Sequence, residues 1–105
     1  MKGYFMIAAL VLPATLQAEQ ADFSVYSVGT NKINNTVFVE TISPIPNNYC
    51  NDNNLFQLTV DDVDANRFLS VALAAQVQGI KLTIDYDPAI CVGDGTAVQI
   101  FKLKS

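Results

Sequence analysis

Three aspartates, Asp61, Asp62 and Asp64, crowd into four positions of this 105-residue chain. Carboxylates at that density suit a calcium ion, and Asp62-x-Asp64-x-Asn66 carries the first three ligand types of an EF-hand loop. The pattern then fails. Arg67 stands where the sharp turn needs glycine, and Leu73 stands where the bidentate glutamate belongs. Helix capping is the better account, because carboxylates at a helix start accept free backbone N–H groups and complement the positive dipole end. A second acidic group, Asp85, Asp87 and Asp94, is close enough in sequence to share one edge of a fold. Paired carboxylates can do acid/base work on a glycoside. Aspartates at strand ends and in a Gly-x-Gly turn, however, commonly face solvent as turn residues. There is no histidine to act as a base, and neither a G-x-S-x-G elbow nor a phosphate-binding glycine loop occurs. The expectation is a chain that is not an enzyme, with no catalytic residue, no metal and no cofactor.

Cys50 and Cys91 are the only cysteines. Without histidine or a C-x-x-C motif, a metal site or a redox pair is a poor reading of them. A structural disulfide fits better, and closing a loop of about 42 residues would remove roughly 4 kcal/mol of denatured-state entropy. Such a bridge needs an oxidising compartment.

The chain's beginning points to one. Lys2 precedes the apolar run "YFMIAALVL" (4–12), and "PATLQA" follows, with Pro13 breaking the helix and small Ala18 suited to the −1 position. Residues 1–18 therefore read as a signal peptide, and 19–105 as one exported domain, periplasmic or secreted. The apolar run is about half the roughly 18 residues a membrane anchor requires, so no stable membrane insertion is expected. Beyond Lys2, five basic residues face ten acidic ones, a net charge of −5. A surface of that sign repels nucleic acid and anionic lipid. Asn34-Asn35-Thr36 is an N-glycosylation sequon, which matters only where a secretory pathway glycosylates.

The elements that would position these residues follow from pattern. "DFSVYSVGT" (22–30) and "TVFVETI" (36–42) carry strand-forming residues and flank the turn cluster "NKINN" (31–35), which predicts a hairpin. "SPIPNNYCNDNN" (43–54) is a long irregular loop anchored by Cys50, and "LFQLTV" (55–60) a third strand, buried on both sides. In "DDVDANRFLSVALAAQVQG" (61–79), Phe68, Leu69, Ala72, Leu73 and Ala75 share a face at helical spacing. Arg67, Ser70, Ala74 and Gln78 form the wetter face, and Gly79 stands where a left-handed C-terminal residue belongs. Directly after it, Ile80, Leu82, Ile84 and Tyr86 alternate with Lys81, Thr83, Asp85 and Asp87, a half-buried strand ended by Pro88. "CVGDGT" (91–96) is a turn and "AVQIFKLK" (97–104) the last strand. There Val98 and Ile100 point one way and Phe101 and Leu103 the other, which implies either a fully covered strand or one buried by a second copy of the chain.

The order β-β-β-α-β-β is that of a mainly β, five-stranded OB-type barrel whose helix lies between strands three and four. A five-stranded sheet with one helix across its face is the plain alternative.

At "NRFLSVALAAQVQGIKLTIDYDPAIC" (66–91) the chain resembles the B subunits of bacterial pentameric toxins, of the subtilase-cytotoxin type, and small secreted relatives of unassigned function. In that group an aromatic-x-x-x-Ala-Leu/Ala helix runs into a Gly-x-x-(Val/Leu)-x-Ile-x-Tyr strand. Phe68, Ala72, Leu73, Gly79, Leu82, Ile84 and Tyr86 occupy those places. The resemblance implies an OB barrel, cell-surface glycan binding and ring-shaped homo-oligomers. No sugar-binding residue carries over from it. Tryptophan, the usual platform for a sugar ring, is absent, which leaves Tyr26, Tyr49 and Phe38 as substitutes, each read more simply as a packing residue. Two functions are expected of such a chain: a binding module for a glycan, or a structural or accessory exported protein whose partner is another polypeptide.

Overall fold

The computed structural model describes residues 18–104. The expected signal peptide (1–18) falls almost wholly outside them. The described residues form eight strands and one helix, in order: β1 (Glu19–Phe23), β2 (Val25–Asn31), β3 (Thr36–Thr41), β4 (Leu55–Thr59), α1 (Ala65–Gln78), β5 (Leu82–Tyr86), β6 (Cys91–Val92), β7 (Gly95–Ala97) and β8 (Ile100–Leu103). The fold is mainly β. Its strands form two sheets, β1-β5-β8 and β2-β3-β4-β7-β6. The closed five-stranded barrel is not formed.

The reason lies in two strands that alternation alone makes continuous. The segment expected as one strand over 22–30 breaks at Ser24, and its halves join different sheets: β1 pairs with β5, β2 with β3. The last segment breaks at Val98–Gln99 in the same way, with β7 parallel to β4 and β8 antiparallel to β5. The second break also resets which side chains face inward. Val98 and Phe101 both pack against the core despite their odd spacing, and Ile100 is left exposed. The two-faced apolar pattern of this segment is thus largely a change of sheet.

The core between the layers holds Phe23, Phe56 and Tyr86 in mutual contact, with ring centroids 5.1 Å (Phe23–Phe56), 5.4 Å (Phe56–Tyr86) and 6.2 Å (Phe23–Tyr86) apart. Val39, Leu82 and Ile84 complete it. β4 is buried along Phe56, Gln57 and Leu58, as its composition predicts.

α1 lies over β2 and β8, and the Phe68 ring meets Phe101 edge-on at 5.2 Å. Its buried line is Ala65, Phe68, Ala72 and Ala75. Three alanines in that line let the backbone come close to the sheets, so the contact is narrow. Leu73, expected inside, falls beyond it and is 51% exposed. The capping expectation also needs correction. Asp64 occupies the N-cap position but makes no side-chain cap bond. Its backbone is not in the extended conformation a cap requires (φ −96°, ψ 2°), and its Oδ1 instead accepts from the Arg67 guanidinium at 3.1 Å. Asp62 closes the preceding turn by accepting the Asp64 N–H at 2.8 Å.

At the other end Gly79 adopts φ 69°, and the Ile80 N–H reaches back to the Ala75 carbonyl at 3.1 Å, which closes the helix and releases the chain into β5. Space is not the constraint at this glycine, since an added Cβ would meet nothing within 4 Å. The left-handed backbone is.

Cys50 and Cys91 form a disulfide that pins the 43–54 loop to β6. Asn48 organises that loop. Its amide donates to the Asp52 carbonyl at 3.1 Å, and its Oδ1 accepts from the Cys50 N–H at 2.9 Å and from the buried Thr96 hydroxyl at 2.8 Å. The segment "CVGDGT", expected as a turn throughout, is a tight hairpin: only Gly93 and Asp94 turn, and β6 and β7 take up the residues on either side.

Candidate functional site

The two acidic groups (Asp61, Asp62 and Asp64; Asp85, Asp87 and Asp94) do not assemble into a site. Among the described residues no three His, Cys, Asp or Glu side chains gather as a metal set. Asp85 accepts from Gln20 (2.7 Å), Asp87 from the Ala89 N–H (3.0 Å) and Asp94 from Asn51 (3.0 Å), each a local tie. Asp22, on the outer face of β1, accepts from the Thr83 hydroxyl at 2.6 Å and faces Lys104 at 3.0 Å. Those two partners hold its carboxyl below the ordinary aspartate value.

The aromatic candidates divide. Phe38 sits directly across from Gly29, and an added Cβ on that glycine would lie 2.8 Å from the ring tip, so the ring covers the glycine. Tyr26 and Tyr49 are not packing residues: they are 68% and 78% exposed. Each lines an open cleft.

The Tyr26 cleft follows from an irregularity in β2. Val25 pairs with Thr41 and Ser27 with Glu40, so two steps on β2 oppose one on β3. Such a bulge turns one side chain out of the alternation. Here Val25 and Val28 both keep their contact with the core while Tyr26 is exposed between them. Glu40, Thr41, Ile42 and Asn54 complete an opening of about 390 Å³. Glu40 accepts the Ser27 hydroxyl through Oε1, which fixes the carboxylate beside the tyrosine. Asn54 is held by its amide donating to the Thr41 and Ile42 carbonyls, at 2.9 and 3.5 Å. From behind, Gln76 of α1 donates to the Tyr26 carbonyl at 2.9 Å and supports the bulge. The result is an exposed aromatic ring, an exposed isoleucine, a fixed carboxylate and an amide oxygen around one hollow. Such a set can place a ring-shaped polar ligand with one face on Tyr26 and its hydroxyls toward Glu40 and Asn54.

Glu40, Ile42 and Asn54 carry no signal of a site in their local sequence. The one trace in the sequence is "VYSV" itself: Val25 and Val28 cannot both face inward on an unbroken strand, and reconciling them requires a bulge at Tyr26.

The Tyr49 cleft, about 380 Å³, is lined by Glu19, Asn47, Pro88 and Ala89. Its carboxylate is paired within the lining itself, since Glu19 Oε2 accepts from Asn47 at 2.8 Å. Beneath lies Tyr86, whose hydroxyl donates to the Pro46 carbonyl at 3.1 Å. Burial, with a smaller contribution from the Glu19 charge, pushes the Tyr86 hydroxyl up to about 12. An unfolded tyrosine ionises near 10, so the folded state holds its proton where the unfolded chain has lost it. Stability from this group is therefore complete below pH 10 and declines as pH rises from 10 to 12, by up to about 3 kcal/mol. Thermal midpoints measured across that range should fall steeply for the native chain and more gently for Tyr86→Phe; parallel curves would refute the assignment.

No family model, curated protein or solved structure matches this chain. No helix among the described residues is long and apolar enough to cross a membrane.

Proposed function

We propose that the protein is a small exported binding module, not an enzyme, that takes a glycan against Tyr26. The observation that carries this reading is the bulge. A strand irregularity that exposes an aromatic ring beside a fixed carboxylate and an amide oxygen supplies the two things a sugar ring needs, an apolar face and hydroxyl acceptors. The architecture is an open form of the OB type. The first and last segments each break and give one strand to either sheet, the helix lies between β4 and β5, and the pairing of β4 with β7 is parallel. That circuit supports the resemblance at 66–91, and the disulfide suits the exported address read from residues 1–18.

The test is a glycan array probed with the chain lacking residues 1–18, beside its Tyr26→Ala variant. Tyr26 is exposed, so the variant keeps its fold, and its affinity for the bound glycan falls about tenfold or more. Equal binding by both chains would move the site elsewhere. A blank array for the folded protein would leave an accessory, protein-binding role as the reading. Exposed Leu73 and Val77, one helical turn apart on α1, favour that role.

A further inference from the structure

The polar groups of the Tyr26 cleft are not a balanced set. The backbone N–H groups of its inner wall are already engaged: Thr41 donates to the Asn54 carbonyl (2.8 Å) and Ile42 to the Ser24 carbonyl (3.0 Å). The Asn54 N–H donates to Asp52 Oδ1 at 2.9 Å. The Thr41 hydroxyl donates to the Ser43 carbonyl at 2.7 Å, and the Asn54 amide is turned to the Thr41 and Ile42 carbonyls. The side-chain groups left over among the lining residues are mainly acceptors: Asn54 Oδ1 and the Glu40 oxygen not held by Ser27, neither accepting a hydrogen bond from the described residues. Among side chains only the Tyr26 hydroxyl remains as a donor. No cation lines the cleft either, although the described residues include Lys32, Arg67, Lys81, Lys102 and Lys104.

We propose that this cleft selects donor-rich, uncharged or cationic glycans, that is, neutral or amino sugars, and rejects sialylated, sulfated and phosphorylated ones. The proposal rests on the glycan-binding reading above and specifies its ligand class. A hydroxyl or ammonium hydrogen can reach both acceptors. A carboxylate or sulfate brings only lone pairs to a wall that has only lone pairs, next to the Glu40 carboxylate, whose charge no cation of the cleft offsets. Anion recognition would need the opposite: arginine, lysine or free backbone N–H groups. Glu40 is the specificity-determining residue, because it contributes the sole formal charge of the cleft.

The experiment compares matched glycan cores carrying neutral, amino or acidic termini, using the chain lacking residues 1–18, Tyr26→Ala and Glu40→Gln. Tyr26-dependent binding is expected for neutral and amino forms, at least tenfold tighter than for the acidic form of the same core. Glu40→Gln keeps the shape and an oxygen for Ser27 while removing the charge. It should weaken the amino form about tenfold, leave neutral forms within a few-fold, and narrow the gap to acidic ones. Circular dichroism and the melting midpoint confirm that the variant is folded. Tyr26-dependent binding of an acidic glycan as tight as its neutral core would overturn the selectivity and leave the glycan-binding reading standing. Absence of Tyr26-dependent binding to every class would overturn both.

Discussion

A Cys50→Ser/Cys91→Ser double variant unfolds about 4 kcal/mol more easily than the native chain. The bridge spans 41 positions, and cross-linking a loop of that length removes on the order of 13 cal/mol/K of denatured-state entropy. A domain of this size holds roughly 5–10 kcal/mol in all, so the loss takes it near the edge of folding at body temperature. The folded side of the balance adds to this. Residues 43–54 contain no strand, and the loop stays in place through the disulfide and a few polar ties, such as Asp52 N–H to the Asp94 carbonyl and Asn48 to Thr96. Those ties join distant parts of the chain, and their joint closure depends on Cys50 being held near β6. Urea unfolding should show a midpoint lowered by well over 1 M in the variant, or in the native chain under a reductant. An unchanged midpoint would mean that the loop network alone holds the layers together.

Phe56→Ala should cost about as much, by a different route. Phe56 is wholly buried near the start of β4, with β3 on one side and β7 on the other. Truncating a buried phenylalanine costs about 3–5 kcal/mol through lost transfer energy and the cavity left behind. The edge-on contacts with Phe23 and Tyr86 add roughly 0.5–1.5 kcal/mol each to what is removed. β4 has little freedom to collapse into the space, because it pairs on both edges. Phe56→Leu retains most of the volume and should cost less than half as much. Tyr26→Ala should cost almost nothing, since its ring is mostly in water. Denaturation of the three variants side by side separates core from site. Equal losses for Phe56→Ala and Tyr26→Ala would refute the division made between them.

The elements legible in the sequence were those set by local chemistry. Leu82, Ile84 and Tyr86 alternate with polar neighbours and form β5, Gly79 takes the left-handed conformation, and the asparagine cluster turns β2 into β3. The cysteine spacing and the absence of competing chemistry pointed to the bridge. What escaped were displacements of a single residue. The chain changes sheet at Ser24 and again at Val98–Gln99, and its inward parity slips by one at the Tyr26 bulge and at Val98–Gln99, so that the strands divide between two sheets. Periodicity over a short window averages across such a slip. Leu73 escaped for a related reason: three small side chains on α1 narrow its buried stripe, an effect of approach distance rather than of composition. Asp64 had the right residue type for a cap, but Arg67 three positions later competes for its carboxylate.

The candidate site was legible only in fragments. From the sequence alone Tyr26 is a stacking candidate beside Tyr49 and Phe38, with nothing to rank them. Exposure sets Phe38 aside, and the bulge distinguishes Tyr26. Glu40 and Asn54 join it from positions 14 and 28 residues further along, through pairing of β3 with β2 on one side and β4 on the other. No local motif encodes that meeting, because it is a product of sheet register.

The failure of the two sheets to close has a cost that the chain manages in a visible way. An open pair of sheets has four free margins, β1, β8, β2 and β6, each a template on which another extended chain could lengthen the sheet without limit. β6 is two residues long, too short to template anything. β2 is kinked by its bulge, which disturbs the register an incoming strand would copy. β8 carries Lys102 and is followed by Lys104, and β1 carries Glu19 and Asp22, so every longer margin is interrupted by charge or by irregular geometry. The bulge that exposes Tyr26 therefore serves twice: it shapes the cleft, and it blunts an edge along which fibrils would otherwise grow.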